Sequence, residues 1–310
     1  FINYYAMLKG VTTEKNIGRI SGYAWGLGYV GGIILLVISL VGFVLPDNPW
    51  FGIGKENAIH IRTIFLFAAA WILVFTIPLL LWVPEIAKKA GAKKESILQS
   101  YAGLWNQLKT LRQQAPETFK FLISSAVYRD GLAGVFTFGA VLGTLSFGFD
   151  TKSIIFYGIG ANIIAAIGAA IGGRLDDIFG SRAVILGSLV GLIASAVAMF
   201  TLRDLGALDY WIFGLLLTLF VGPAQASSRT FVARFTPHGR EGEVFGLYQT
   251  TGRAISFLSG SMWALSIGAA NAIFGGSNNT IYGIWGIVLI LIVGAYLLSR
   301  VHPRPAVLEN

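Results

Sequence analysis

Stretches of about 20 consecutive apolar residues, nearly free of charge, recur about eight times along this 310-residue chain, and nothing constrains its fold more tightly. A helix rises 1.5 Å per residue, so about 20 residues cross a hydrocarbon core of about 30 Å. In lipid the backbone must satisfy its own hydrogen bonds, which leaves only helices and closed barrels. Barrel strands would alternate polar and apolar residues over about ten positions, whereas these runs are continuously apolar. The expected fold is therefore an all-α polytopic membrane bundle. Its spans are placed at 20–45, 63–83, 119–149, 153–173, 183–202 and 210–229, with two more in the tract 244–299. That last tract is too long for one crossing, and the polar, Gly-rich segment 271–280 divides it.

Composition agrees with a bundle whose outside faces lipid: 55% of residues are hydrophobic, 12% are charged, and mean hydropathy is +0.70. Without cysteine, the chain has no disulfides, no thiolate chemistry and no Cys-ligated metal. The net charge of +8 invites a nucleic-acid reading, but its placement argues against one. Sixteen of the 23 Lys and Arg fall on alternate connections, at 9–19, 88–120, Arg174 with Arg182, Arg234 with Arg240, and Arg300 with Arg304. The opposite connections carry only Lys55, Arg62, Lys152 and Arg203. This asymmetry is the positive-inside pattern, and it assigns both ends and the long central connection to the cytoplasm. The chain opens on Phe1 and a short apolar stub, with no signal peptide, so the natural protein is expected to extend upstream.

The segment 84–118 differs from its surroundings. It opens with Lys88, Lys89, Lys93 and Lys94, after which Ile97, Tyr101, Leu104, Leu108 and Leu111 recur at steps of three and four beside Trp105. That pattern describes an amphipathic helix lying on the membrane surface, or else a solvated loop with a helical turn. As a linker it leaves two spans before it (1–83) and six after it (119–300), followed by a tail at 301–310. Two six-span halves joined by a basic loop is the plan of transporters built from parallel repeats. Small residues cluster on the first span (Gly22, Gly26, Gly28, Gly31, Gly32) and the fourth (Ala161, Ala165, Gly168, Ala169, Gly172). These two faces are expected to pack antiparallel, with Gly28 and Gly32 near Ala165 and Ala161, either as a moving pair or as a fixed contact.

Between the fourth and fifth spans runs Gly173-Arg174-Leu175-Asp176-Asp177-Ile178-Phe179-Gly180-Ser181-Arg182. In a short turn Gly173 and Gly180 supply backbone freedom, and Asp177 can accept from the amides of a helix start or pair with Arg182 or Arg234. The run resembles the Gly-x-Leu-Ala-Asp-x-x-Gly-x-Arg loop of the major facilitator superfamily, with Asp176 for the usual small residue and Ser181 for a usual basic one. Three further segments narrow the resemblance to the vacuole-effluxer branch: Ser21-Gly22-Tyr23-Ala24-Trp25-Gly26-Leu27-Gly28-Tyr29-Val30-Gly31-Gly32, then Gly222-Pro223-Ala224-Gln225-Ala226-Ser227-Ser228-Arg229, and Phe245-Gly246-Leu247-Tyr248 with Gly252-Arg253 and Ser256. Arg253 stands where that branch often has Lys. The resemblance implies solute transport, with amino acids as the first substrate class. It also implies a multi-pass location, in the plasma membrane of a bacterium or an endomembrane of a fungus.

Ionisable and amide side chains inside spans are costly and face the bundle interior or water. On that ground Asp130, Gln225, Arg229, Gln249 and Arg253 are candidates for solute binding or coupling. Gln225 with Arg229, and Gln249 with Arg253, share helix faces at a spacing of four. Arg253, Gln249 and Gln225 are expected to line a central cavity, with Asp130 deeper, and Gly222-Pro223 to break the sixth span. Gly173, Asp177, Gly180, Arg182 and Glu243 are candidates for gating. For each charge a structural ion pair is the competing reading. His60, His238 and His302 lie apart with no metal spacing, and no nucleotide-binding Gly-Lys-Ser/Thr loop is present. The expectation is a secondary transporter rather than an enzyme, working by alternating access without a cofactor. Its partners are a small polar solute, membrane lipid and protons moved through Asp130 or Glu243, with no nucleic acid. A non-transporting receptor or assembly subunit is the alternative.

Overall fold

The computed structural model describes residues 5, 7–82, 97–236, 241–276 and 279–302. Lys88, Lys89, Lys93, Lys94, His238, Arg240, Arg304 and most of the opening stub lie outside the described residues, as do the side chains of Ile97, Tyr101 and Leu104. The described chain is helical, with no strand: α1 Ile17–Ser39, α2 Ile59–Trp82, α3 Ile97–Gln114, α4 Pro116–Leu145, α5 Thr151–Phe179, α6 Ser181–Thr201, α7 Ala207–Phe235, α8 Glu241–Ala254, α9 Leu258–Phe274 and α10 Gly283–Ser299. Among the described residues, seven helical segments are long and apolar enough to cross a membrane, α8 and α9 counting as one. The eighth expected span is α4. At 30 residues it is long enough, but Arg129 and Asp130 near its middle make it less apolar than the seven.

The chain divides into two compact units. One comprises 1–30 with 106–310, the other 31–105. The smaller unit holds all of α2, a 24-residue helix with no buried residue at all, whose core window has mean hydropathy 2.6. Phe65, Leu66, Leu80 and Trp82 are each more than 70% exposed. In water such a helix would have no reason to persist; in a hydrocarbon solvent its exposure is its stability. Within this unit Phe43 packs against Trp50, Phe51 and Phe67.

In the larger unit α7 packs against both α5 and α6, and α10 against α4, α9 and α6. Backbone approach, not bulk, sets these contacts. Pro223 lacks the amide that would bond the Leu219 carbonyl one turn earlier. That carbonyl lies against Gly168 of α5, and the Pro223 ring lies against Gly172. Gly222 in turn meets the Ala165 carbonyl. The expected break at Gly222-Pro223 therefore does not occur. α7 runs through the proline unbroken, because the glycines opposite make room for the displaced carbonyl.

The real break lies in the seventh span, where residues 255–257 separate α8 from α9. The α5 helix also outruns its expected end by six residues and stops at Phe179, stabilised at its start by Asp150, whose carboxylate accepts the Ser153 amide at 2.8 Å. Asp176 and Asp177 thus sit on its last turn, and the connection to α6 is Gly180 alone, with φ +81°. Gly173 is not a turn glycine. It lies inside the helix, with Gly22 and the Gly18 carbonyl pressed against it.

Candidate functional site

At the basic end of the larger unit, two neighbouring carboxylates do different work. Asp177 accepts the backbone amides of Gly18 and Arg19, each at 2.8 Å, and Nη2 of Arg234 at 3.2 Å. The first amides of a helix have no partner within the helix, and its N-terminus carries a partial positive charge, so a carboxylate from another helix satisfies both. Asp176 is buried, and its Oδ1 accepts from Arg234 Nη1 and from Ser181 Oγ at 3.1 Å. Arg234 Nη1 also donates to Ser181 Oγ at 2.8 Å, so one guanidinium on α7 ties α5 and the start of α6 together. Arg182 does not join this cluster. Its Nη2 donates to the Ser299 carbonyl at 2.7 Å and its Nε to that of Leu298 at 3.4 Å, capping the C-terminus of α10. Lys9 bonds the Thr236 carbonyl and lies 3.9 Å from Glu241. Burial pushes its ammonium pKa down, against the opposing pull of Glu241 and Glu14.

The small-residue faces meet, but rotated from the expected register. Gly18 lies against Asp176 and Gly173, Gly22 against the Ala169 carbonyl and Gly173, and a Cβ added at Gly26 would stand 3.3 Å from the Ala166 carbonyl oxygen. Gly28 faces open space, with nothing within 4 Å of where a Cβ would stand. Ala165 and Gly168, expected to serve the first span, pack on α7 instead.

Deeper in the unit the polar candidates are held by named partners. Arg229 is 3% exposed; its Nη2 donates to the Ser21 carbonyl at 2.7 Å, and Nε and Nη2 donate to Ser21 Oγ at 3.1 and 3.0 Å. Its guanidinium carbon lies 5.4 Å from the ring centres of both Tyr5 and Trp25, within cation–π range. Arg129 stacks on Tyr248 at 3.9 Å and donates to the Tyr248 carbonyl at 3.2 Å and to Gln249 Oε1 at 3.3 Å. Asp130 is buried, and its carboxylate accepts the Ser259 amide at 2.5 Å and the Ser259 hydroxyl at 3.2 Å. It is therefore the cap that α9 acquires from outside its own chain segment. Gln225, Gln249 and Glu243 are half-buried, and the Arg253 side chain is exposed at the end of α8.

None of these residues lines the aromatic-walled cavity of this unit. That cavity, of about 160 Å³, lies among α4, α5, α6, α7, α9 and α10. Phe138 and Trp263 stack across it with ring centres 4.5 Å apart, and Tyr157 and Tyr210 approach equally closely. Three of its polar groups are spent on the backbone: Tyr210 donates to the Gly139 carbonyl at 2.8 Å, Asn162 to that of Gly158 at 2.7 Å and Thr218 to that of Leu215 at 2.8 Å. The sequence reading missed this lining. Tyr157 and Asn162, two polar groups in a span otherwise built, Phe156 apart, of aliphatic and small residues, were the available signal.

The chain matches the model of one protein family, described as vacuole effluxer Atg22 like, over residues 10–307. It belongs to that family. An "Uncharacterized MFS-type transporter YxiO" of Bacillus subtilis is 27% identical over 96% of this chain and 66% of its own length. Two fungal proteins named "Autophagy-related protein 22-1", from Neosartorya fischeri and Penicillium rubens, are 23% and 25% identical over 77% of this chain. The chain spans 41% and 42% of those fungal relatives.

Membership of the vacuole-effluxer family makes this an all-helical, multi-pass membrane protein of a transporter family of the major facilitator type, not of an enzyme family. Within the matched range, side chains of α1 and α7, and of α4 and α8, hold these helices together in pairs. Ser21 of α1 meets Arg229 of α7, and Tyr248 of α8 carries Arg129 of α4.

Proposed function

We propose that this protein is a secondary active transporter that moves a small polar solute, amino acids foremost, by alternating access coupled to protons. The observation that carries the reading is the interruption at residues 255–257, where the seventh span divides and Asp130 caps the new helix start. Irregular backbone at membrane depth persists where it is buried in protein or borders a cavity, and divided helices are where transporters of this build place their sites. The capped end adjoins such a cavity: Ser259 packs on Gly134, and both Gly134 and Trp263 line it.

Asp130 is the proposed coupling group. As a carboxylate it holds the Ser259 amide in the first turn of α9; protonated, it loses the charge that favours that helix terminus and releases it. Arg253, at the other lip of the interruption, is the proposed partner of the solute carboxylate, which its fork can take bidentately. Gln225 and Gln249 are proposed to bond the same solute. Arg229 holds Ser21, so its part is to join α7 to α1 while the solute site forms. Glu243 and the Gly173, Asp177, Gly180 and Arg182 segment are the proposed gate at the basic end.

Flux of radiolabelled amino acids into proteoliposomes, with and without an imposed pH gradient, tests the reading. A gradient should drive accumulation in the wild type. Asp130→Asn should exchange solute across the membrane but no longer accumulate it. Accumulation by Asp130→Asn equal to wild type would remove the carboxylate from coupling, and absence of any saturable flux would remove the transport reading.

A further inference from the structure

Three carboxylates are buried among the described residues, and two of them are bonded. Asp130 accepts from Ser259, and Asp176 from Arg234 and Ser181. The third, Asp209, is 0% exposed, and neither of its oxygens has a hydrogen-bond partner. It stands on the first turn of α7, 25 residues or about 37 Å before Arg234 along that helix, at the end away from the basic cluster.

The usual work of an acid at this place is closed to it. Counted from the N-cap Gly206, Asp209 is the third residue of the helix, the position from which an acid reaches back to the N-cap amide. Here that amide donates to the Arg203 carbonyl at 3.0 Å instead. No cation takes its place. Arg203 is exposed, donates to the Phe200 carbonyl at 3.0 Å and lies over the Phe200 ring. Asp204 is exposed, and Tyr210 donates to the Gly139 carbonyl. From α4, α5, α6, α8 and the 203–205 turn, all packed on α7, no charged or titratable side chain acts on the Asp209 carboxyl.

An ionised carboxylate shut away from water, with neither a cation nor a donor, costs far more than the neutral acid. Yet water is one turn away. Residues 203–205, Ala207 and Leu208 are all exposed, and the chain between them bends at Gly206, whose φ of +63° suits glycine.

We propose that Asp209 is a proton-binding site, occupied while the 203–206 turn covers it and emptied when that turn lifts and water reaches the carboxyl. Cover and proton then favour one another, since a proton held only by the covered carboxyl stabilises the covered state and is lost as pH rises. Asp130 is proposed to release a helix end on taking a proton; Asp209 does the reverse, and keeps its cover shut by holding one.

Infrared spectra of the protein in lipid vesicles show a protonated carboxyl as a carbonyl band above the amide absorption. At pH about 5, a unit above the ordinary aspartate value, the wild type should carry such a band. Asp209→Asn should lack it, and Asp204→Asn, changed at the exposed neighbour, should keep it. On raising the pH the wild-type band should vanish. Amide hydrogen exchange across 203–208, corrected for the intrinsic effect of pH, should then quicken about tenfold for each pH unit beyond ionisation. In Asp209→Asn, which has no such proton to lose, it should not. Spectra at pH about 5 that do not differ between wild type and Asp209→Asn would overturn the proposal. So would a wild-type turn whose protection is indifferent to alkaline pH, an outcome that needs no variant to fold. Neither readout involves solute or flux, so the site stands or falls apart from the transport reading.

Discussion

Asp177, on the last turn of α5, accepts the amide of Gly18, in the first turn of α1, at 2.8 Å across 159 residues of sequence. The same carboxylate takes the next amide, of Arg19, so one side chain closes two of the orphan donors with which every helix begins. Because the contact is made to backbone, it does not depend on which side chains α1 carries there. It depends on Gly18 and Gly173, whose missing side chains let the helices approach.

Asp177→Ala should therefore destabilise the protein by about 1–3 kcal/mol, the cost of leaving such donors unmet. Asp177→Asn, which keeps one acceptor oxygen, should lose less. Thermal unfolding in a fixed lipid nanodisc gives both values. Equal melting of Asp177→Ala and wild type would show that water satisfies these amides in its place.

The glycines of α1 separate by face, and substitution should separate them by effect. Gly22→Ala places a methyl group against the Ala169 carbonyl and should cost about 1–3 kcal/mol as overpacking. Gly28→Ala meets open space and should be neutral or stabilising by up to about 1 kcal/mol, from helix propensity alone. The same unfolding measurement compares them, and a reversed order would mean that Gly28, not Gly22, faces α5.

Much of this was legible in the sequence and some was not, for physical reasons. The spans were legible because a hydrocarbon solvent demands long apolar runs. The Asp177 contact was legible because a carboxylate beside a helix start has few other uses. The face of α1 that packs was not: spacing of four gives a stripe but not its direction, and both Gly22 and Gly28 lie on such stripes. The partner of Asp130 was not legible either, since a backbone amide at a helix interruption has no side-chain signature. The cavity escaped for a third reason. Aromatic residues serve lipid, core and cavity alike, and only packing tells Trp263 from Trp82.

Arg229 and Ser21 should behave as a pair. Ser21→Ala removes the hydroxyl that accepts from Nε and Nη2 but leaves the carbonyl at 2.7 Å. The loss should be about 1.5–3 kcal/mol, as for hydrogen bonds to a charged group. Arg229→Lys keeps the charge without the fork and should make Ser21→Ala nearly silent in a double-mutant cycle. Fully additive losses would mean the two side chains do not act together.

Asp150 supplies a pH test outside the spans. Accepting from the Ser153 hydroxyl and amide holds its carboxyl below the usual range, which is about 3.9 in an unfolded chain. A depressed folded pKa contributes stability that is present above the unfolded value and lost as pH falls through the folded one. The stability difference between wild type and Asp150→Ala should be constant from neutral pH down to about 5 and shrink in stronger acid. A difference that grows on acidification would contradict the capping role.

The proposed alternating access, with its gate at the basic end, requires that α1 and α5, which Asp177 joins, part and rejoin as solute crosses. The chain contains no cysteine, so two can be introduced without background. Tyr23 and Arg174 suit the purpose, both exposed and joined by the 3.2 Å bond from Arg174 Nε to the Tyr23 hydroxyl. In proteoliposomes, the Tyr23→Cys, Arg174→Cys protein is bridged with a reducible bifunctional thiol reagent while amino-acid flux is followed. The account predicts that bridging stops saturable flux and that reduction restores it. Flux that continues unchanged with the bridge fully formed would contradict it.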